Sequence, residues 1–341
     1  MSLQQELTNM NQGKFSSVYL LIGSEQYLAD LFIKSLKQAI LTEEDDEMNF
    51  IRFDMEQTPV SMAIEEANTI PFFGDQRVVQ IENPYFLTGE RNKSSVEHQT
   101  DLLLDYLLSP MESTILVISA TYDKLDSRKK LVKELKKRAT VVSVEPLAEH
   151  DLKNFVRQSV ESHDYEMTPE AMETLLYLCQ MQLSRVMSEL DKLMLYAYDT
   201  KKITKPMVES LVAKSLEQNI FEMVDYVMKK QTDKSLRLHQ ELLLQGEDTI
   251  KITAILLQHI RLLIQVKIMV NMGYQKSNMA DVLKIHPYRV QLAMQQVRSY
   301  EMKLLGQLYD SLAENDWLTK TGQMDKELLF ELFILKYSAT T

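Results

Sequence analysis

The chain has 341 residues, 45% hydrophobic and 26% charged, with a formal net charge of −11 and a pI near 5.2. That length exceeds one typical core, so two or three domains are expected, and the acidity argues against a protein that chiefly coats nucleic-acid phosphate, although a local basic stripe can still touch DNA. Only 8 Gly and 8 Pro leave little material for a tight-turned sandwich or barrel, the 20 Met suit helical packing, and a single cysteine excludes an intramolecular disulfide and fits a reduced, cytoplasmic setting.

In chain order, the first 15 residues contain no apolar leader-like core, and no stretch reaches the roughly 18 apolar residues of a bilayer span, so no membrane association is expected. From Ser17 to about Val144, short apolar runs at 18–22, 50–53, 78–81, 114–118 and 141–144 alternate with amphipathic patterns at 25–41, 60–68, 96–108 and 125–138. Several of the runs are apolar on both faces. This alternation predicts a parallel sheet covered by helices on both sides. After Glu145-Pro146 the strand signal stops, and helices are predicted at 149–163, 169–180, 183–198 and 205–214, with Pro169 and Pro206 in first turns. Further helices follow at 219–230, 233–245, 248–273, 278–283, 287–300, 301–316 and 326–337, with Gly246 and Gly273 as C-caps. The predicted class is α/β plus all-α: residues 1–146 an α/β domain, 147–214 a small helical domain and 215–341 a larger helical packing domain.

The turn after the first strand is where a phosphate-binding loop belongs. Here Gly23-Ser24-Glu25-Gln26-Tyr27-Leu28-Ala29-Asp30 puts Leu28 for the second glycine, Ala29 for the lysine and Asp30 for the hydroxyl. Glu25 and Asp30 add negative charge where phosphates would sit. The run 115–118 ends in Ser119-Ala120 rather than in the Asp-Glu pair of such ATPases, so no catalysis and no nucleotide cofactor are expected. His98, His150, His163, His239, His259 and His286 have no i, i+4 pairing and no metal-ligand spacing, so no metal is expected. His286-Pro287 reads as a helix start, and Cys179, on an apolar helical run, as an inert buried thiol.

Two segments remain as candidate contact sites. Ile70-Pro71-Phe72-Phe73-Gly74-Asp75 sets adjacent aromatics between Pro and Gly, a turn context in which at least one ring faces outward unless the pair is drawn into the core. Such a ring is a partner anchor. The stretch 126–138 carries Arg128, Lys129, Lys130, Lys133, Lys136, Lys137 and Arg138 among Leu131, Val132 and Leu135; it is either a solvated helix face or a helix presenting cations to DNA phosphates or an acidic partner, with Arg128, Lys129, Lys130, Lys133 and Lys137 as the candidate contacts. Arg185 reads as a phosphate contact or, in its absence, as a structural ion pair.

Taken together, Val18-Tyr19-Leu20-Leu21-Ile22-Gly23-Ser24-Glu25 with Tyr27-Leu28, Pro71-Phe72-Phe73-Gly74 with Arg77-Val78-Val79, Ser188-Glu189-Leu190-Asp191-Lys192-Leu193, Ile220-Phe221 with Asp225, Arg261-Leu262-Leu263, His286-Pro287-Tyr288 and Lys320-Thr321-Gly322 closely resemble the delta subunit family of the bacterial DNA polymerase III clamp loader. Length and acidity point to the low-GC Gram-positive form. The resemblance implies an AAA+-like α/β domain, a helical lid and a helical collar that assembles with the tau/gamma and delta-prime subunits around primed DNA. It implies a subunit without a usable ATP site that binds the beta sliding clamp and holds the ring open. The clamp contact carried over by position is Phe72 and Phe73, flanked by Ile70, Pro71 and Gly74. No small-molecule substrate is implied. The remaining readings are a degenerate ATPase, or a DNA-binding adaptor outside any loader.

Overall fold

The computed structural model describes residues 3–41, 48–71, 74–89 and 96–338. The chain divides into two compact units, Met1–Asn154 and Phe155–Thr341. In the first, β1 (Val18–Ile22), β2 (Phe50–Asp54), β3 (Arg77–Glu82), β4 (Thr114–Ala120) and β5 (Thr140–Ser143) form one sheet of order β2-β3-β4-β1-β5. Every pairing is parallel, with Leu20 opposite Ile118 and Val141, and Val79 opposite Ile51 and Leu116. β1 and β4 read as near-continuous apolar runs because helices cover both faces, and β3 differs in burying Arg77 and Gln80: all seven residues of β4 are buried, whereas the edge strands β2 and β5 are largely half-buried.

The crossover helices are α2 (Gln26–Ile40), α3 (Val60–Ala67), α4 (Thr100–Leu108) and α5 (Lys130–Arg138), preceded by α1 (Leu3–Asn11). On one face α2 buries Leu28, Ala29, Phe32 and Leu36, and the Phe32 ring meets Tyr19 of β1 edge-on at 5.0 Å. On the other, Val60 and Ile64 of α3, Leu103 of α4 and Leu135 of α5 close over Leu20, Val79, Ile81 and Ile118. Three expectations need correction. The α1 helix carries only Glu6 and Met10 as buried residues, too few to mark it in the sequence. The helices expected from 96 and 125 begin at Thr100 and Lys130, the second because the Asp126 carboxylate accepts the Arg128 N–H at 3.0 Å in a turn that delays the helix.

α6 (Glu149–Ser162) follows. In the second unit come α7 (Pro169–Leu178), α8 (Leu183–Tyr196) and α9 (Lys205–Leu211), with β6 (Glu166–Met167) and β7 (Lys202–Ile203) as a two-residue parallel pair where only helices were expected. Two residues are too few to establish a period of two, so nothing in the sequence pattern reveals them. Then come α10 (Leu216–Met228), α11 (Thr232–Leu244), α12 (Thr249–Asn271), α13 (Lys276–Leu283), α14 (Pro287–Val297), α15 (Met302–Lys320) and α16 (Lys326–Ser338). Ser215 opens α10 with a reciprocal capping box to Gln218, Asp248 caps α12, and Gly246 and Gly273 take φ of 86° and 82° at helix ends as expected.

α12 overturns one sequence expectation. Its 23 residues, with mean hydropathy 1.5 over an 18-residue window, are long and apolar enough to cross a membrane. Its position explains the composition: Ile252, Leu256, Ile260, Leu263 and Val266 form the spine of the core shared with α10, α14, α15 and α16. A helix packed on several sides needs apolar residues on several sides.

Candidate functional site

The loop carrying the adjacent aromatics runs from α3 to β3. At its near end Asn68 stops the helix, donating both its backbone N–H and its side-chain amide to Ile64 O, at 3.1 and 3.0 Å, while the Thr69 hydroxyl donates to Glu65 O at 3.0 Å. At its far end Arg77, only 5% exposed, opens β3. The Arg77 guanidinium pairs with the Glu66 carboxylate and lies 3.4 Å from Glu66 O, so the two roots of the loop are tied to each other. Between them Ile70 is 71% exposed, Pro71 is half-buried, and Gly74 is exposed with φ 67°. Phe72 and Phe73 lie outside the described residues.

The turn after β1 is shaped by a close backbone approach. Gly23 has φ 138°, and a Cβ there would stand 2.3 Å from the carbonyl carbon of Val144. Only glycine fits that contact. The Val144 carbonyl takes the Glu25 N–H at 2.9 Å, and the Glu25 carboxylate accepts the Tyr27 N–H at 3.4 Å as the cap of α2. Leu28 and Ala29 are 3% and 2% exposed, core residues of α2, and Asp30 accepts from the Gln26 amide at 2.8 Å. The first turn of this helix is thus furnished with carboxylates and apolar packing.

The basic stretch does not form one uniform face. Arg128 precedes α5 and grips Asp126 through two 2.9 Å bonds, which, with the Arg128 N–H, draw the Asp126 carboxyl down to about 2. Lys129, the residue before the helix, donates to Phe86 O at 2.7 Å. That leaves Lys130, Lys133 and Lys137 exposed on α5, with Lys136 beside them and no ion-pair partner among the described residues. They lie opposite Leu131, Val132 and Leu135, which face the core.

Arg185 lies in the first turn of α8, in the second unit, and donates to Ala213 O at 2.9 Å. The ion pair expected for it is not found among the described residues; a carbonyl takes that place. Cys179 is fully buried, and burial pushes its thiol up to about 12, which keeps it protonated and unreactive. His286 caps α14 by accepting the Tyr288 N–H at 3.2 Å, the helix start expected of it. Two features of the loop's surroundings have no signal in the sequence pattern: the Arg77–Glu66 tie, and His98, whose Nδ1 accepts the Val60 N–H at the start of α3 at 3.1 Å.

Comparison with known proteins adds the family. Residues 19–145 match the family model described as DNA polymerase III, delta subunit, and residues 217–337 that of its C-terminal domain. The DNA polymerase III subunit delta of Bacillus subtilis is 38% identical over 328 residues, covering 96% of this chain and 94% of the relative. A probable delta subunit of Aquifex aeolicus is 25% identical over 70% of this chain and 67% of its own length. The solved structure of the Bacillus subtilis DNA clamp loader delta protein superposes with a TM-score of 0.74 at 37% identity, covering 99% of this chain and 100% of the other. The five-stranded parallel sheet and the helices after it therefore form an AAA+-like fold shared with that protein. With both family models matched in order and one relative aligned almost end to end, the chain belongs to the DNA polymerase III delta subunit family.

Proposed function

We propose that the chain is a non-catalytic subunit of a DNA polymerase III clamp loader that binds the beta sliding clamp through the 70–75 loop and holds the ring open for loading onto primed DNA. The observation that carries this reading is the loop itself: in a chain of this family, Ile70 stands 71% exposed on a turn whose roots are tied by Arg77 and Glu66. Phe72 and Phe73 are the anchors in this reading. Each ring seated in an apolar pocket contributes roughly 1.5–3 kcal/mol before ordering costs, enough for firm but reversible binding. Hydrolysis of ATP then belongs to neighbouring subunits, because here Glu25 caps α2 with its own carboxylate and Ala29 occupies the place of the phosphate-binding lysine.

On this reading residues 1–146 form the clamp-binding domain, 147–214 the lid and 215–341 the collar that joins the tau/gamma and delta-prime subunits. Lys130, Lys133 and Lys137 face DNA phosphates within the complex, and the protein works in the cytoplasm at the replication fork. The test is Phe72→Ala with Phe73→Ala, titrated against purified beta clamp by calorimetry. The double variant is expected to lose binding while keeping its far-UV circular dichroism. Clamp affinity equal to the parent chain's would overturn the assignment of the loop.

A further inference from the structure

Helix α3, which leads into the loop, has no cap of its own. Its N-cap residue is Pro59, whose ring offers no acceptor to the first N–H groups. The acceptor comes from 38 residues further along the chain, where His98 Nδ1 takes the Val60 N–H at 3.1 Å. Because Nδ1 accepts, the proton of the neutral ring sits on Nε2. Nε2 lies 2.9 Å from the Tyr85 hydroxyl, which donates onward to Val96 O at 2.9 Å. The ring is also flanked by Tyr85 and Phe86, with centroids at 5.1 and 4.8 Å. Hydrogen bonds and packing thus hold the imidazole in the orientation that caps α3.

We propose that His98 is the positioning residue of α3: by capping that helix from a distant segment it holds the lever that carries the 70–75 loop, and so sets the loop's affinity for the clamp. The proposal rests on the clamp-binding reading of that loop. An eight-residue helix is too short to persist alone, so its placement depends on how its ends are held. Arg77 holds Glu66 near the C-terminus, and His98 holds Val60 at the N-terminus. Burial lowers the His98 imidazole below its ordinary range, with the Met55 carbonyl opposing, and the positive end of the helix dipole also favours the neutral ring that can accept.

Two amide substitutions separate capping from packing. His98→Asn puts a carbonyl oxygen where Nδ1 stands, whereas His98→Gln puts its polar end near Nε2 and leaves the Val60 N–H without an acceptor. The full-length variants, with His98→Ala, are compared by amide hydrogen exchange over 60–67 and by affinity for purified beta clamp. The Gln and Ala variants are expected to exchange about fivefold faster there, the equivalent of about 1 kcal/mol, and to bind the clamp correspondingly more weakly. The Asn variant is expected to match the parent in both. A Gln variant indistinguishable from the parent in either readout, or an Asn variant as impaired as Ala, overturns the proposal; if Ala does not fold, the Asn–Gln pair decides. The Phe72→Ala, Phe73→Ala chain serves as the control. Should it bind the clamp normally, the loop assignment fails, and exchange at Val60 still decides the cap.

Discussion

At the scale of single residues, the two roots of the loop are joined through a buried cation. Arg77 is 5% exposed, Glu66 partly exposed, and the pair closes the segment between them into a staple. Replacing Arg77 by Met removes charge-assisted hydrogen bonds and leaves the Glu66 carboxylate facing an apolar neighbour. We expect a loss of about 1.5–3 kcal/mol of stability, read as a lower urea midpoint, with Arg77→Lys recovering only part because an ammonium cannot reproduce the guanidinium fork. An unchanged midpoint for the Met variant would mean that the tie contributes nothing. Residues chosen from sequence alone fared unevenly around this site. Ile70, Pro71 and Gly74 could be placed on a turn because Pro and Gly punctuate it, while Phe72 and Phe73 lie outside the described residues. The contacts of Arg77 and His98 had no signal because their partners, Glu66 and Val60, are 11 and 38 residues away, distances at which no periodicity reveals a contact.

At the scale of elements, the five strands and most helices were legible because burial imposes a pattern: parallel strands covered on both faces become unbroken apolar runs, and amphipathic helices keep a 3.6-residue rhythm. What was missed lacked that pattern. β6 and β7 have two residues each, and α1 has only two buried side chains. α5 shows how an element can be legible while the partners of its charges are not. Of the seven cations of 126–138, legible as a solvated face or as a cation-presenting one, Arg128 is committed to Asp126, Lys129 to the Phe86 carbonyl and Arg138 to Glu134. The other four, Lys130, Lys133, Lys136 and Lys137, have no ion-pair partner among the described residues. The expected behaviour of Lys130→Gln, Lys133→Gln, Lys137→Gln is therefore a weaker loader–DNA interaction with an unchanged fold. The slope of log affinity against log salt should flatten by about 0.9 for each duplex phosphate that the variant no longer neutralises. Neutralising Arg128 should leave that slope nearly as it was, and an unchanged slope for the triple variant would assign these lysines to a solvated surface.

At the scale of the whole molecule, the two units rest on different physics. The first is a sheet whose registers are fixed by backbone pairing. The second is a bundle whose apolar spine, α12, is locked to its neighbours by a polar network. His259 of α12 meets Gln296 of α14 at 2.9 Å, the Gln296 amide donates to Asp225 of α10 at 2.8 Å and to Phe221 O at 3.2 Å, and the Tyr300 hydroxyl also donates to Asp225. Burial holds the Tyr300 phenol well above its ordinary range, reinforced by Asp225, so it remains a donor throughout the working range of pH. Burial draws the His259 imidazole down to about 4, with the Gln296 hydrogen bond opposing, whereas the unfolded chain takes up the proton near 6.5. Well above pH 6.5 both states are neutral at this site and it contributes no pH dependence. As the pH falls from 6.5 towards 4, the unfolded chain binds a proton that the folded chain refuses, so stability declines across that window. His259→Gln keeps a donor towards Gln296 but cannot titrate. Urea unfolding of the parent and of this variant between pH 7 and 4 should show the variant losing less stability on acidification. Parallel losses in the two chains would remove His259 as the cause, because the carboxylates that also titrate in this range are common to both.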